Sequence, residues 1–308
     1  MAPRLLHRSY KIYKREGIVE LSKSIKRFIS NRTPSVIPHL KITYIKFNSN
    51  DGLIEKEVEG ARMILRSDEA GIHQDILVSE TREPASTEMF KSLLEGFSEK
   101  HGDDIFLFDI GANIGYYVLL EASLLGDQSR IVAVEPEPTN VKDLRKNVSL
   151  NDFENVDIWQ KAAGSERGSV KLKVGDKSNL HSVVSEPTTN ESVISVESVS
   201  VDSLVNEYDL PNQTPIVVRI DVEGYEKNVV EGMKNLLNSN NPLVIFVEIH
   251  SSKISRSEEE YIFQMLEDNG VELKFVSYDG GDTGKEKSGY SEITREFTNK
   301  HIIATRQP

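Results

Sequence analysis

Apolar and polar residues alternate in "KITYIKF" (41–47), "LIEKEV" (53–58) and "ARMILR" (61–66), with Asn50-Asp51-Gly52 and Glu59-Gly60 between the runs. A period of two broken by turn-forming pairs predicts a small antiparallel β meander. The period then lengthens. In "PASTEMFKSLLEGFSEK", Met89, Phe90, Leu93, Leu94 and Phe97 share one helical face, and Pro84 and Ser86 are start signals. From Asp104 onward short apolar runs alternate with helical stretches. Strands are expected at 105–109, 130–135, 156–162, 215–221, 243–249, 272–277 and 301–306, and helices at Pro138–Asn151, Tyr225–Leu237 and Ser257–Asp268. This rhythm specifies an α/β fold, a mostly parallel sheet covered by helices on both faces. Between the third and fourth strands, "GSVKLKVG" and "VISVESVSVDSL" read as an inserted hairpin, with Asp202 as the cap of the helix that follows.

Charge divides the chain unevenly. Residues 1–33 hold nine Lys and Arg against Glu16 and Glu20, although the whole chain has 37 basic and 49 acidic residues and a net charge of −12. Leu5, Leu6, Ile12, Ile18, Leu21, Ile25, Phe28 and Ile29 fall near helical spacing, so this head reads as a basic amphipathic helix. It would lie on an anionic membrane surface or, as apolar stripes usually do, pack on its own chain. The acidity of the rest argues against nucleic acid as a partner, because that affinity needs clustered cations. With no cysteine, disulfides and thiolate metal sites are excluded. No run reaches the roughly 20 apolar residues of a membrane span, and the start lacks a signal-peptide core. A cytoplasmic location is expected, with peripheral contact at the inner membrane face through the head as an option. Three parts are expected: 1–33 as the basic helix, 34–102 as an extension of meander and helix, and 103–308 as the ligand-binding domain.

Candidate chemistry begins at "FDIGANIGYYVLL" (108–120), where Asp109 ends a strand and Gly111 and Gly115 let the backbone turn and approach a ligand. A dinucleotide turn would read Gly-x-Gly-x-x-Gly. Here Asn113 stands where the second glycine belongs and the third is missing, so an aminoacyl-nucleoside fits better than a pyrophosphate. Glu135 ends the next strand, 20 residues beyond Gly115, the separation at which a carboxylate reaches both ribose hydroxyls.

Taken with "IVAVEPEPTNVKDLRKNV", "KAAGSERGSVKL", "VSVDSL", "VVRIDVEGYEKNVVEGM" and "LVIFVEIH", in that order, this stretch resembles the FkbM family of S-adenosylmethionine-dependent methyltransferases over residues 70–305. The resemblance implies a class I methyltransferase (Rossmann-like) sheet of seven strands, the last antiparallel, with S-adenosyl-L-methionine over the first two. It assigns Asp109, Gly111, Asn113 and Gly115 to the methionine-side turn and Glu135 to the ribose. Tyr116 would face the sulfonium or pack its own helix. Ala162 and Ala163 would border the adenine.

A second constellation follows in "RIDVEGYE": Asp221 ends the fourth strand, Glu223 lies two residues on, and Glu248 and His250 end the fifth. An alcohol acceptor loses a proton as it attacks. His250 is the expected base because an ordinary imidazole titrates near neutrality, Asp221 is second, and Glu223 and Glu248 would bind sugar hydroxyls or orient the base. The same four suit Mg²⁺ or Mn²⁺. Helix capping and loop hydrogen bonds account for such carboxylates as well, so no metal ligand is assigned. Glu83, beside Pro84, matches an acidic position in the family and is expected near the same crevice or in a salt bridge.

The implied function is O-methyl transfer to a hydroxyl of a sugar in a glycan, glycolipid or related metabolite, or to a uronic acid carboxylate, which needs no base. A nicotinamide-dependent oxidoreductase shares such a sheet but not this glycine spacing. A non-catalytic scaffold that keeps the fold is expected to lose the turn or its carboxylate, and both are present.

Overall fold

The structure, a computed structural model, describes residues 52–69, 71–175, 178, 181–184, 192–278, 282–286 and 299–306. The basic head and the run 41–47 lie outside these residues. The two other alternating runs form an antiparallel hairpin, β1 (Leu53–Val58) and β2 (Ala61–Arg66), turning through Glu59 and Gly60 with φ of 51° and 83°. Helix α1 (Ile72–Ser79) follows, too short for its pattern to stand out in the sequence. Helix α2 (Pro84–His101) starts at the expected proline and buries Phe90, Leu94 and Phe97.

Then come β3 (Phe106–Ile110), α3 (Tyr116–Leu125), β4 (Arg130–Val134), α4 (Pro138–Leu150) and β5 (Val156–Trp159). An insertion supplies β6 (Ala162–Ala163), β7 (Gly168–Lys173), β8 (Ser182–Val184) and β9 (Val193–Val199). The chain resumes with α5 (Val201–Glu207), β10 (Ile216–Ile220), α6 (Glu226–Glu231), α7 (Lys234–Leu237), β11 (Leu243–Ile249), α8 (Arg256–Asp268), β12 (Glu272–Tyr278), β13 (Asp282–Glu286) and β14 (Lys300–Arg306).

The main sheet runs β13-β12-β14-β11-β10-β3-β4-β5. Strands β5, β4, β3, β10 and β11 are parallel, and β14 is antiparallel to both β11 and β12. This is the class I methyltransferase arrangement with an eighth strand, β13, which the alternation did not announce. Every residue of β3, β10 and β11 is buried, the signature of a sheet covered on both faces. Strand order reverses between β3 and β10, so the crevice for a ligand lies at their carboxyl ends.

Three expectations are corrected. The run 156–162 is not one strand: it leaves the main sheet after Trp159, and Ala162–Ala163 pair with Ser198–Val199 in a second sheet ordered β6-β9-β7-β8. The inserted hairpin is therefore part of a four-stranded sheet. The helix expected over 225–237 is two helices. A Cβ on Gly232 would sit 2.0 Å from the carbonyl oxygen of Gly164, and the Gly232 carbonyl accepts from the Asp202 N–H at 2.9 Å instead of continuing a helix. Asp202 does not cap its own helix. Ser200 does, accepting from Ser203 N–H, while the Asp202 carboxylate accepts from Asn235 and Leu236 N–H at 2.9 Å each and restarts the broken helix as α7.

Candidate active site

The turn after β3 is shaped by contacts only glycine permits. Gly111 has a φ of 89°, and a Cβ there would fall 1.8 Å from the carbonyl oxygen of Asp221. Gly115 has a φ of 94° and presses on Leu144 of α4. The Gly111 and Ala112 N–H groups donate to the Val134 carbonyl at 2.9 and 3.1 Å, binding the turn to the tip of β4.

Glu135 follows that tip and points back at the turn. Its Oε2 accepts from Asn113 N–H at 2.9 Å; Oε1 accepts from Glu137 N–H at 2.9 Å and from the Asn140 amide at 3.4 Å. Burial raises its pKa to about 7 against the pull of those donors, with the Glu137 charge adding to the rise. The side-chain amides of Asn113 and Asn140 both donate to the Ser178 carbonyl, at 2.8 and 3.0 Å, so the insertion is tied over the turn.

A cavity lies between these parts. Gly111, Asn113, Tyr116, Glu135, Ala162, Ala163, Asp221 and Glu223 line it, with Leu172, Ser182 and Val183 from the second sheet and Arg82 from the segment before α2. Of the expected cofactor residues, Gly115 and Asp109 are not on its wall. Gly115 backs the turn. Asp109 is fully buried beneath it, 2.8 Å from Arg219, whose other terminal nitrogen lies 3.0 Å from Asp221. The Arg219 guanidinium also stacks on Tyr117 at 3.7 Å. Glu121, fully buried on α3, has neither oxygen hydrogen-bonded; burial, then the Asp109 charge, raises its pKa well above the usual range. Tyr116 packs its helix while reaching the cavity, and its hydroxyl bonds Thr81 at 2.9 Å and Glu59 at 3.0 Å.

The four expected catalytic residues do come together. His250 Nδ1 lies 2.7 Å from Glu226 Oε1, and Nε2 lies 3.3 Å from Glu223, 3.3 Å from Glu248 and 3.9 Å from Asp221. Burial alone would lower the imidazole pKa, but the Glu226 hydrogen bond and the Glu248 and Asp221 charges outweigh it and raise it to about 9. The reason for choosing His250 as base, titration near neutrality, does not hold inside this fold. His250 and Glu248 stand behind the wall that Asp221 and Glu223 form. Glu248 also lies 3.3 Å from His301, its cross-strand partner on β14, and His301 in turn lies 3.6 Å from Glu83. Glu83 pairs with Arg82 at 3.0 Å, the salt bridge that was its plainer expectation.

The model of the FkbM methyltransferase domain matches residues 109–273, more than half of the chain. The chain belongs to the FkbM methyltransferase family. The hexuronic acid methyltransferase AglP of Haloferax volcanii is similar to it, 29% identical over 174 residues that make up 53% of this chain and 62% of that protein. Methyltransferase 1 of Beauveria bassiana is 28% identical over 148 residues, 42% of this chain and 59% of that one. The chain thus spans less than two thirds of either relative. Among solved structures, an S-adenosylmethionine-dependent O-methyltransferase from Thermotoga maritima aligns with 80% of this chain and 73% of its own at 10% identity and a TM-score of 0.40.

Several residues of this FkbM site were not singled out in the sequence. Glu226 was visible in "RIDVEGYE" as the third acid of the motif, and its spacing from Glu223 at a helix start could have marked it. Arg219 sits in the same motif, but only the register Arg219↔Asp109 between β10 and β3 shows what it holds. His301 lies 53 residues beyond Glu248 and reaches it only through the β11–β14 pairing, and Arg82 and Ser178 belong to segments without periodicity.

Proposed function

We propose that this FkbM protein transfers a methyl group from S-adenosyl-L-methionine to a hydroxyl of a sugar in a glycan, glycolipid or related metabolite. The observation that carries the reading is one continuous wall: the Gly111 turn and Glu135 at one end, Asp221 and Glu223 at the other. The residues fit the cofactor. Glu135 presents a carboxylate suited to a ribose diol, Ala162 and Ala163 leave room for a flat base, and the Ser178 hydroxyl, buried without a partner, has a hydrogen bond to give. When bound, the cofactor would supply an electrophilic methyl on sulfur.

The chain's own residues then orient the acceptor and manage its proton. Arg219 fixes Asp221 through Oδ2, and Glu223 shares the cavity wall, so either carboxylate can take the hydroxyl proton while the sugar is held in line. Arg82 and the similarity to a hexuronic acid methyltransferase favour a second reading, a uronic sugar. There the acceptor is its carboxylate, and no base is required.

The test is transfer of a labelled methyl group to a panel of neutral sugars and uronic acids. An alkali-stable label supports the hydroxyl reading, and an alkali-labile ester supports the carboxylate reading. Calorimetry showing NADH bound and S-adenosylhomocysteine not bound would remove both.

A further inference from the structure

His250 is 4% exposed, yet only its Nδ1 has a hydrogen bond of ordinary length, to Glu226 at 2.7 Å. Its Nε2 faces three carboxylates at once, Glu223 and Glu248 at 3.3 Å and Asp221 at 3.9 Å. One N–H serves one acceptor at about 2.7–3.2 Å, and the three oxygens, all beyond that range, are spaced as they would be around a cation that takes the place of the proton. Two donor atoms each about 2.0–2.2 Å from a common cation, by contrast, lie about 3–4 Å apart. Ligand atoms of Asp221, Glu223 and His250 all fall within 4.8 Å of one another.

We infer that Asp221, Glu223 and His250 form a divalent-cation site in the wall of the cavity, which binds and acidifies the acceptor hydroxyl. The surroundings of each ligand agree. Glu226, fully buried and itself held by Gly224 N–H at 2.9 Å, fixes the His250 ring through Nδ1 and leaves Nε2 to face the site, as a metal-ligating histidine requires. Arg219 occupies Oδ2 of Asp221 and leaves Oδ1 on the His250 side. Lys253, which pairs with Glu223, is 36% exposed and can turn to solvent when a dication takes its place. One imidazole with two carboxylates suits Mn²⁺ better than Mg²⁺, which prefers all-oxygen shells. A second trio, Glu83, Glu248 and His301, has similar spacing, but none of its members lines the cavity. The reacting ion therefore belongs to the first.

This inference rests on the hydroxyl reading. The hydroxyl oxygen bound to the ion loses its proton to the Glu223 oxygen turned away from the ion, then forms the new C–O bond as the C–S bond of the donor breaks and its electron pair stays on sulfur. A uronic carboxylate would need none of this.

The experiment is a Mn²⁺ titration of the metal-stripped full chain, followed by electron paramagnetic resonance, with S-adenosylhomocysteine binding measured on the same samples. One saturable Mn²⁺ per chain is expected, weakened at least about 100-fold in both Glu223→Gln and His250→Gln. No saturable binding up to millimolar Mn²⁺, or binding unchanged in both variants, overturns the site. Because Glu223 is on the cavity wall and not in the core, Glu223→Gln keeps the test valid if His250→Gln fails to fold. Homocysteine-derivative binding without Mn²⁺ removes the metal alone; Mn²⁺ binding without it removes the methyltransferase reading and leaves only an ion site.

Discussion

Glu135 is a carboxylate that its surroundings pull both ways. Backbone and amide donors favour the anion, burial favours the acid, and burial prevails, so the group titrates near pH 7 in the folded chain. A folded pKa above the ordinary value of 4.5 contributes stability that is complete below that value and lost as the pH rises through about 7. The unliganded protein should therefore lose about 2–3 kcal/mol between pH 4.5 and 8 through this residue, and Glu135→Gln should flatten that part of a Tm-against-pH curve. Affinity for S-adenosylhomocysteine should run the opposite way, rising through pH 7 as the anion becomes available for two hydroxyls. Glu135→Ala should weaken it by about 10- to 100-fold in calorimetry. Gly111 makes a harsher case. Ala there combines a positive φ with a Cβ 1.8 Å from backbone, and Gly111→Ala should cost more than about 3 kcal/mol or fail to fold, read by denaturant unfolding.

At the scale of elements, the helices and strands were legible where one period or one apolar run is long enough, as in α2 and α8 or in β11. They were misjudged where a tertiary contact cuts a good pattern. "GYEKNVVEGMKNLL" is helical by every local measure, and it breaks because Gly232 packs on the backbone of Gly164. Asp202 mends the break from a distance by capping α7. Asp202→Ala should thus lower stability by about 1–2 kcal/mol while leaving α5, which Ser200 caps, in place; hydrogen exchange of Asn235 and Leu236 against Ser203 separates the two helices. Equal loss of protection in both would mean that Asp202 supports α5 after all.

At the scale of the whole molecule, the hairpin and α2 are not detachable from the sheet. Val58, Met63, Leu65, Phe90 and Leu94 share one core with Leu107, Val118 and Phe246. Asn147 and Asn151 of the α4 end hydrogen-bond the β2 backbone at 2.7–2.8 Å. A chain reduced to 103–308 should therefore be insoluble or lack a cooperative transition. The buried Arg219 network spans the same scale. Arg219→Met strands Asp109 and releases Asp221, and should cost about 3–5 kcal/mol, measured by urea unfolding. Among the described residues, no helix is long and apolar enough to cross a membrane.

The sequence by itself determined the local elements, the glycine turn, the acidic residue that answers it and the family, because periodicity, backbone freedom and motif order are properties of neighbouring residues. Tertiary structure alone decided which charges meet. A period of two says that Glu248 and His250 share a face of β11, not that His301 will stand opposite, that Glu226 will hold the imidazole, or that Arg219 will find an aspartate 110 residues away. Protonation and ligand capacity follow from those pairings and from burial, and both come into being only when distant strands take their register.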